Sequence, residues 1–281
     1  MIDLHTHTTY SDGTDTPLEL LQKAEKLGIT TLSITDHDNV DAYHELRKVN
    51  IKDYYTGDLV VGCEFNCNYQ GIKIELLGYN FGLNNVSKWL DINAIFKSDE
   101  EKRRYKFNTA LSIYDKQGVT YTKNITYSNN NGIPLVYLCK DLKKYEVNKE
   151  ILGDAWDQDC FHFDRLCTGK LDYPLFIPYE FHSAKTISDM IRANGGLVFF
   201  VHPYIFKINN HLEFIDSLRK ENLIDGIECY YPTFTKEQTN TLVEYCKKHN
   251  LLISGGSDYH GTNKPVKLGE QIVPEEDITW V

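Results

Sequence analysis

Ten histidines and forty acidic residues are spread along this 281-residue chain, and several fall into short pairings that suit a metal site. His5-Thr6-His7 is an HxH pair near the start. Side chains alternate along an extended segment, so both imidazoles point to one side and can chelate one ion, although two histidines without a metal are the competing reading. Asp12-Gly13 follows in Ser11-Asp12-Gly13, a sequence that reads equally as a plain turn. In Asp36-His37-Asp38 the histidine is the candidate ligand, with Asp36 or Asp38 supporting it. Glu64 closes the apolar run Leu59-Val60-Val61-Gly62-Cys63. An unpaired carboxylate is costly to bury there, a cost that a bridged metal removes; the alternative is a solvent-exposed strand end. His202-Pro203 and Asp258-Tyr259-His260 complete the set, and Gly255-Gly256 is expected to let the backbone approach a ligand. The convergence of these groups outweighs any single motif, and hard oxygen with borderline nitrogen donors suits Mn²⁺, Fe²⁺, Zn²⁺ or Mg²⁺.

The elements that must hold these residues follow one pattern. Ile2 to Leu4 reads as a short first strand, and Thr16-Pro17 supplies an N-cap with proline in the first helical turn. Leu18, Leu21, Ala24 and Leu27 then form an apolar helical face that Gly28 closes. A strand over residues 31–34 runs straight into the Asp36 cluster. The same strand-then-polar order recurs at residues 197–203, 226–232 and 251–260, with helical patterns before two of these segments. Such alternation predicts a parallel sheet or barrel with its chemistry at the carboxyl ends of the strands. Residues 84–183 differ in texture, being rich in Lys, Asn, Tyr and Asp. They are expected to form a mostly helical insertion covering the mouth of a barrel built from residues 1–83 and 184–281.

Composition narrows the function classes. No segment approaches the roughly 20 apolar residues of a membrane span, and the start has neither a basic nor an apolar leader region, so a cytoplasmic location is expected. Seven cysteines without a CxxC pair disfavour a disulfide framework or zinc knuckle and are expected to be reduced. A formal net charge of −10 argues against a long nucleic acid as main partner. It is compatible with a small phosphate ester, because bound cations invert the local field.

Taken in order, Asp3-Leu4-His5-Thr6-His7, Ser11-Asp12-Gly13, Ile34-Thr35-Asp36-His37-Asp38, Gly62-Cys63-Glu64, Val201-His202-Pro203 and Gly256-Ser257-Asp258-Tyr259-His260-Gly261 resemble the motifs of the PHP (polymerase and histidinol phosphatase) family. The resemblance implies an α/β fold, a distorted seven-stranded (β/α)7 TIM-like barrel with a metal cluster at its carboxyl-end face. It implies that His5, His7, Glu64 and Asp258 hold one ion and Asp12, His37 and His260 a second. A third would be bridged by Glu64 and held by His202. The subgroup most resembled comprises phosphatases of nucleoside 3′,5′-bisphosphates and cyclic phosphodiesterases. Two positions depart from it: Glu75 stands where a histidine is usual before Leu-Gly-Tyr, and Ile133-Pro134-Leu135-Val136 replaces an Arg-Pro-His-Ile segment.

The expected function is therefore metal-dependent hydrolysis of a small phosphate ester, nucleotide-like or cyclic, by a hydroxide bridging two or three divalent cations. His202 or His260 would protonate the leaving group, and Arg103, Arg104, Lys140 or Arg165 would clamp a second phosphate. Tyr230, Tyr231 and Phe234, just past a barrel strand, are candidates to stack on a base, with core packing or a plain pocket wall as the competing reading of each. The rivals are hydrolysis of a C–N bond by a similar site and an inactive metal-binding module.

Overall fold

The structure, a computed structural model, describes residues 1–170, 172–178, 180–271 and 273–281. It divides into two compact units, one formed by Met1–Asn93 with Phe181–Val281 and the other by Ala94–Glu180. The first unit begins with β1 (Ile2–Asp3), α1 (Pro17–Leu27), β2 (Thr31–Ile34) and α2 (Asp41–Leu46). β3 (Asp58–Tyr69), β4 (Ile72–Tyr79) and α3 (Leu83–Asn93) follow. The second unit carries α4 (Asp99–Gln117), α5 (Pro134–Leu142), α6 (Lys149–Leu152) and α7 (Cys160–Gly169). The chain then returns to the first unit with α8 (Ala184–Ala193), β5 (Leu197–Phe200), α9 (His211–Lys220), β6 (Gly226–Tyr230), α10 (Lys236–His249) and β7 (Leu252–Gly255).

The seven strands lie in sequence order in one sheet. Its two edges approach each other, with the Leu4 N–H donating to the Gly255 carbonyl at 3.1 Å and Thr6 bridging Tyr259. The result is the nearly closed, TIM-like barrel expected from the sequence, with one difference. β4 runs antiparallel to both β3 and β5, whereas the other neighbouring pairs are parallel. The cause is local: only Gln70 and Gly71 join β3 to β4, and both have positive φ, 53° and 81°. That is the geometry of a two-residue hairpin turn, which is far too short for a parallel crossover.

The signals at the two ends of α1 act as read, but its buried face is Leu20, Leu21 and Ala24, and Leu27, expected on that face, is exposed in the last turn. The Thr16 hydroxyl caps α1, Glu19 returns the capping-box bond, and Gly28 ends the helix in a left-handed conformation. Leu4, Leu32, Phe65, Leu76 and Phe200 are fully buried in the core of the first unit, which also takes in Leu83 and Val86 of α3. Those two contacts keep α3 with the barrel, although it starts at the expected insertion boundary. The second unit has its own core around Phe107, Tyr114, Leu138, Leu142 and Phe163. All seven cysteines are free thiols, and only Cys160 is more than slightly exposed. Among the described residues no helix is long and apolar enough to cross a membrane.

Candidate metal centre

The ligand candidates sit on or just beyond the strands of the barrel. His5 and His7 follow β1, His37 follows β2, Glu64 and Glu75 face inward from the β3–β4 hairpin, His202 follows β5, and Asp258 and His260 follow β7. Asp12 reaches in from the β1–α1 loop. That loop is tied down by Asp36, which accepts from the Thr8 N–H at 2.7 Å and the Ser11 hydroxyl at 2.7 Å. Asp38 is spent on Asn66, accepting from its N–H at 3.0 Å and its side-chain amide at 2.7 Å. Both aspartates that flank His37 are therefore structural. Gly256, expected to admit a ligand, instead admits the backbone of His5: a Cβ there would lie 2.4 Å from the His5 nitrogen.

The donor atoms meet in overlapping groups. His7, Asp12, His37 and His260 each offer one within 4.8 Å of the others, as do His5, Glu64 and His202; His5, His7 and Asp258; and His37, Glu64 and Glu75. Glu64 stands at the centre. Its Oε2 lies 3.3 Å from His5 Nε2, 3.3 Å from His7 Nε2 and 3.2 Å from His37 Nδ1, and its Oε1 lies 3.1 Å from His202 Nε2. Asp258 Oδ1 is 3.4 Å from His5 Nε2 and 3.2 Å from His7 Nε2. Asp12 Oδ1 is 3.1 Å from His260 Nε2 and 3.8 Å from His37 Nε2. Glu75 Oε2 approaches His202 Nε2 at 3.6 Å, and its other oxygen accepts from Lys73 at 2.9 Å.

Two observations test whether cations fit this set. His5 donates from Nδ1 to Glu228 at 2.8 Å, which leaves Nε2 facing His7 Nε2 at 3.2 Å and two carboxylates. Acceptors crowded this closely repel unless a proton or a metal ion lies among them. Second, the buried nitrogens His37 Nδ1 and His260 Nε2 have no hydrogen-bond partner. Orphaned buried nitrogens aimed at carboxylates are what a metal ligand leaves when its metal is not counted. The residues fit divalent cations.

Comparison with known proteins agrees. The PHP-domain family profile matches residues 3–193. The chain belongs to the PHP family. Among its relatives is a 5′-3′ exoribonuclease of Haemophilus influenzae, 27% identical, the match covering 96% of this chain and 93% of that one. Another is the phosphoribosyl 1,2-cyclic phosphate 1,2-diphosphodiesterase of Eggerthella lenta, 26% identical over 92% of this chain and 94% of the relative. A solved structure from Bifidobacterium adolescentis, assigned as a metal-dependent phosphoesterase, shares the fold. It superposes with a TM-score of 0.64 at 23% identity, covering 98% of this chain and 93% of its own. The relatives are named as phosphoester hydrolases, the enzyme class that the sequence motifs imply, and the His, Asp and Glu groups of this PHP protein suit metal binding.

The electrostatics of the PHP site follow from its crowding. Burial alone would lower the His7 pKa, but the hydrogen-bonded carboxylates of Asp258 and Glu64 raise it to about 9. His5 is likewise raised, burial being outweighed by Glu228, Glu64 and Asp258. Burial pushes Glu64 and Asp258 upward, yet the surrounding imidazoles hold both well below the usual carboxylate range. Asp12 is lowered too, against its partial burial, chiefly by His260.

Two residues of this PHP site were not anticipated. Glu228, fully buried on β6, accepts from His5 Nδ1 with one oxygen and from the His202 N–H at 2.8 Å with the other. His202 has φ 27° and ψ 60°, a strained conformation that costs about 1–3 kcal/mol and must be held by its surroundings. Lys264 donates to Asp258 Oδ2 at 2.7 Å, and the Tyr231 hydroxyl donates to the same oxygen at 2.8 Å. Of the two tyrosines nominated from sequence, Tyr231 thus reaches the candidate ligands, whereas Tyr230 gives its hydroxyl to Asp277. The nominated cations all lie in the second unit. Arg103 donates to the Gly132 carbonyl, Arg104 pairs with Glu100 at 2.8 Å, and Lys140 and Arg165 are exposed.

Proposed function

We propose that this PHP protein hydrolyses a phosphate ester of nucleotide-like size, a monoester or a cyclic diester, with two or three divalent cations in the His-Asp-Glu cluster. The observation that carries the reading is the set of ring nitrogens facing Glu64, Asp258 and Asp12 at 3.1–3.4 Å. His5, His7, Glu64 and Asp258 would hold one ion and Asp12, His37 and His260 another, with Glu64, His202 and Glu75 available to a third. When bound, such cations polarise phosphoryl oxygens and bring the pKa of water toward neutrality. Mn²⁺, Fe²⁺ and Zn²⁺ suit this mixture of nitrogen and oxygen donors, and Mg²⁺ is the harder alternative.

The chain's own groups supply orientation and proton handling. His260 spends its Nδ1 proton on the Asp258 carbonyl at 2.8 Å, which leaves Nε2 as the nitrogen available to an ion. Of the two histidines proposed to protonate a leaving group, His202 thereby becomes the stronger candidate. Its ring meets Tyr231 edge to face, and its Nδ1 is buried without a partner. The relative named as an exoribonuclease adds a nucleotide strand end to the esters worth testing, while the net charge of −10 favours small ones. Free thiols throughout fit a reducing compartment, and the cytoplasm is the proposed location.

A panel of phosphomonoesters, cyclic phosphodiesters, short oligonucleotides and amides, run with Mn²⁺ and after chelation, tests the proposal. Turnover of a phosphate ester that chelation abolishes is expected. Turnover of amides alone would replace it with C–N hydrolysis, and bound metal without any turnover would indicate a binding module.

A further inference from the structure

Outside the metal cluster, the first unit has a pocket of about 600 Å³ on the barrel flank, between the last turn of α1 and the segment after β7. Its size is that of a site for a small organic ligand. Lys23, Lys26, Lys264 and Lys267 all line it, in a protein whose net charge is −10. Two of these ammonium groups are spoken for: Lys23 pairs with Asp15 at 2.6 Å and Lys264 with Asp258 at 2.7 Å. The ammonium groups of Lys26 and Lys267 have neither an ion pair nor a hydrogen bond among the described residues, while the Lys267 backbone N–H donates to the Glu270 carboxylate at 2.8 Å. Leu27 and Leu268 add apolar wall, and lysine stems extend such walls while their charged heads stay at the rim. Two unpaired ammonium groups beside one concave, partly apolar surface raise the local potential for an anion.

We infer that this flank pocket is a second anion site, which takes a phosphorylated small molecule with its phosphates on Lys26 and Lys267 and its apolar part on the leucine wall. Lys264 makes the link to chemistry, because it lines the pocket and its ammonium rests on Asp258 of the ligand set. An anion in the pocket competes with Asp258 for that ammonium. The occupant is therefore either the far end of the metal site's own substrate or a separate phosphorylated effector. Only this last distinction rests on the phosphoester reading.

The first measurement needs no turnover: calorimetric titration of the metal-free, full-length chain with ADP. One binding event is expected, weakened about tenfold or more when two charge-assisted contacts are reversed in the Lys26→Glu/Lys267→Glu variant. His7→Ala should retain it. Both lysines are exposed, so the double variant should fold. Absence of ADP binding, or equal binding by the double variant, overturns the site, and neither result depends on catalysis. With the metal-loaded enzyme, a KM raised only for a substrate bearing a second phosphate, at unchanged kcat, assigns the pocket to the substrate. ADP-dependent change in turnover of p-nitrophenyl phosphate, lost in the double variant, assigns it to an effector.

Discussion

At the scale of single residues, the site depends on groups that share ions and on the groups that aim them. Removing a donor that serves the central cluster leaves a gap in a cation's coordination, so His7→Ala or Asp258→Ala should abolish turnover and lower bound metal. Circular dichroism should show the barrel intact, since neither side chain belongs to the apolar core. Wild-type rates and metal content in both variants would refute the assignment. Glu228 allows a finer prediction, because it holds both the His5 tautomer and the strained His202 backbone. Glu228→Gln replaces one acceptor oxygen by a donor, and metal affinity should fall about 10–100-fold, as for other partners that orient metal-bound histidines. An unchanged affinity by competition with a fluorescent chelator would show that Glu228 only fills space. Most of the candidate ligands were legible in sequence because they stand beside a turn or a strand end, Glu64 and Glu75 being the exceptions within β3 and β4. Glu228 was not, since it lies within Gly226-Ile227-Glu228-Cys229, which reads as an ordinary buried strand. The available signal was a carboxylate in the middle of that run, a group too costly to bury without a partner.

At the scale of elements, the strand-then-polar rhythm gave the parallel parts of the barrel, and it failed at the β3–β4 hairpin. β3 continues through Glu64 to Tyr69, so the glutamate that reads as a strand tip lies mid-strand, opposite Leu77. The hairpin signal was Gln70-Gly71, weak because glutamine seldom takes positive φ. This antiparallel insertion places Glu64 and Glu75 on one inward-facing ribbon, which a parallel strand joined by a helix would not do. The seam between β7 and β1 is equally exacting, because Gly256 lies where any side chain would strike the His5 backbone. Gly256→Ala should cost about 1–3 kcal/mol through overpacking and should also displace His5. Stability by urea denaturation and metal affinity should therefore fall together. Loss of one without the other would separate the seam from the site.

At the scale of the whole molecule, the cluster links stability to pH and metal. In the metal-free chain His5 and His7 gain protons opposite Glu64 and Asp258. His7 rises from an unfolded value of 6.5 to about 9, so its contribution to stability is fully present below pH 6.5 and disappears as pH climbs through about 9. The depressed carboxylates behave oppositely. Asp258, Asp12 and Glu64 contribute above their unfolded values of 3.8 and 4.5, and that contribution is lost as pH falls. The metal-free protein should therefore be most stable between about pH 5 and 6.5, losing thermal stability from there toward pH 9. Metal ions reverse the upper limb, because each binds the deprotonated ring and must displace its proton, so affinity strengthens as the solution becomes more basic. The gap in Tm between metal-loaded and chelated protein should widen steadily from pH 6.5 to 9, as measured by scanning calorimetry at fixed free Mn²⁺. A gap that stays constant or narrows over that range would mean that protons and metal do not compete for the same nitrogens. The acidic and imidazole groups would then be a charge-balanced structural cluster rather than a place for cations.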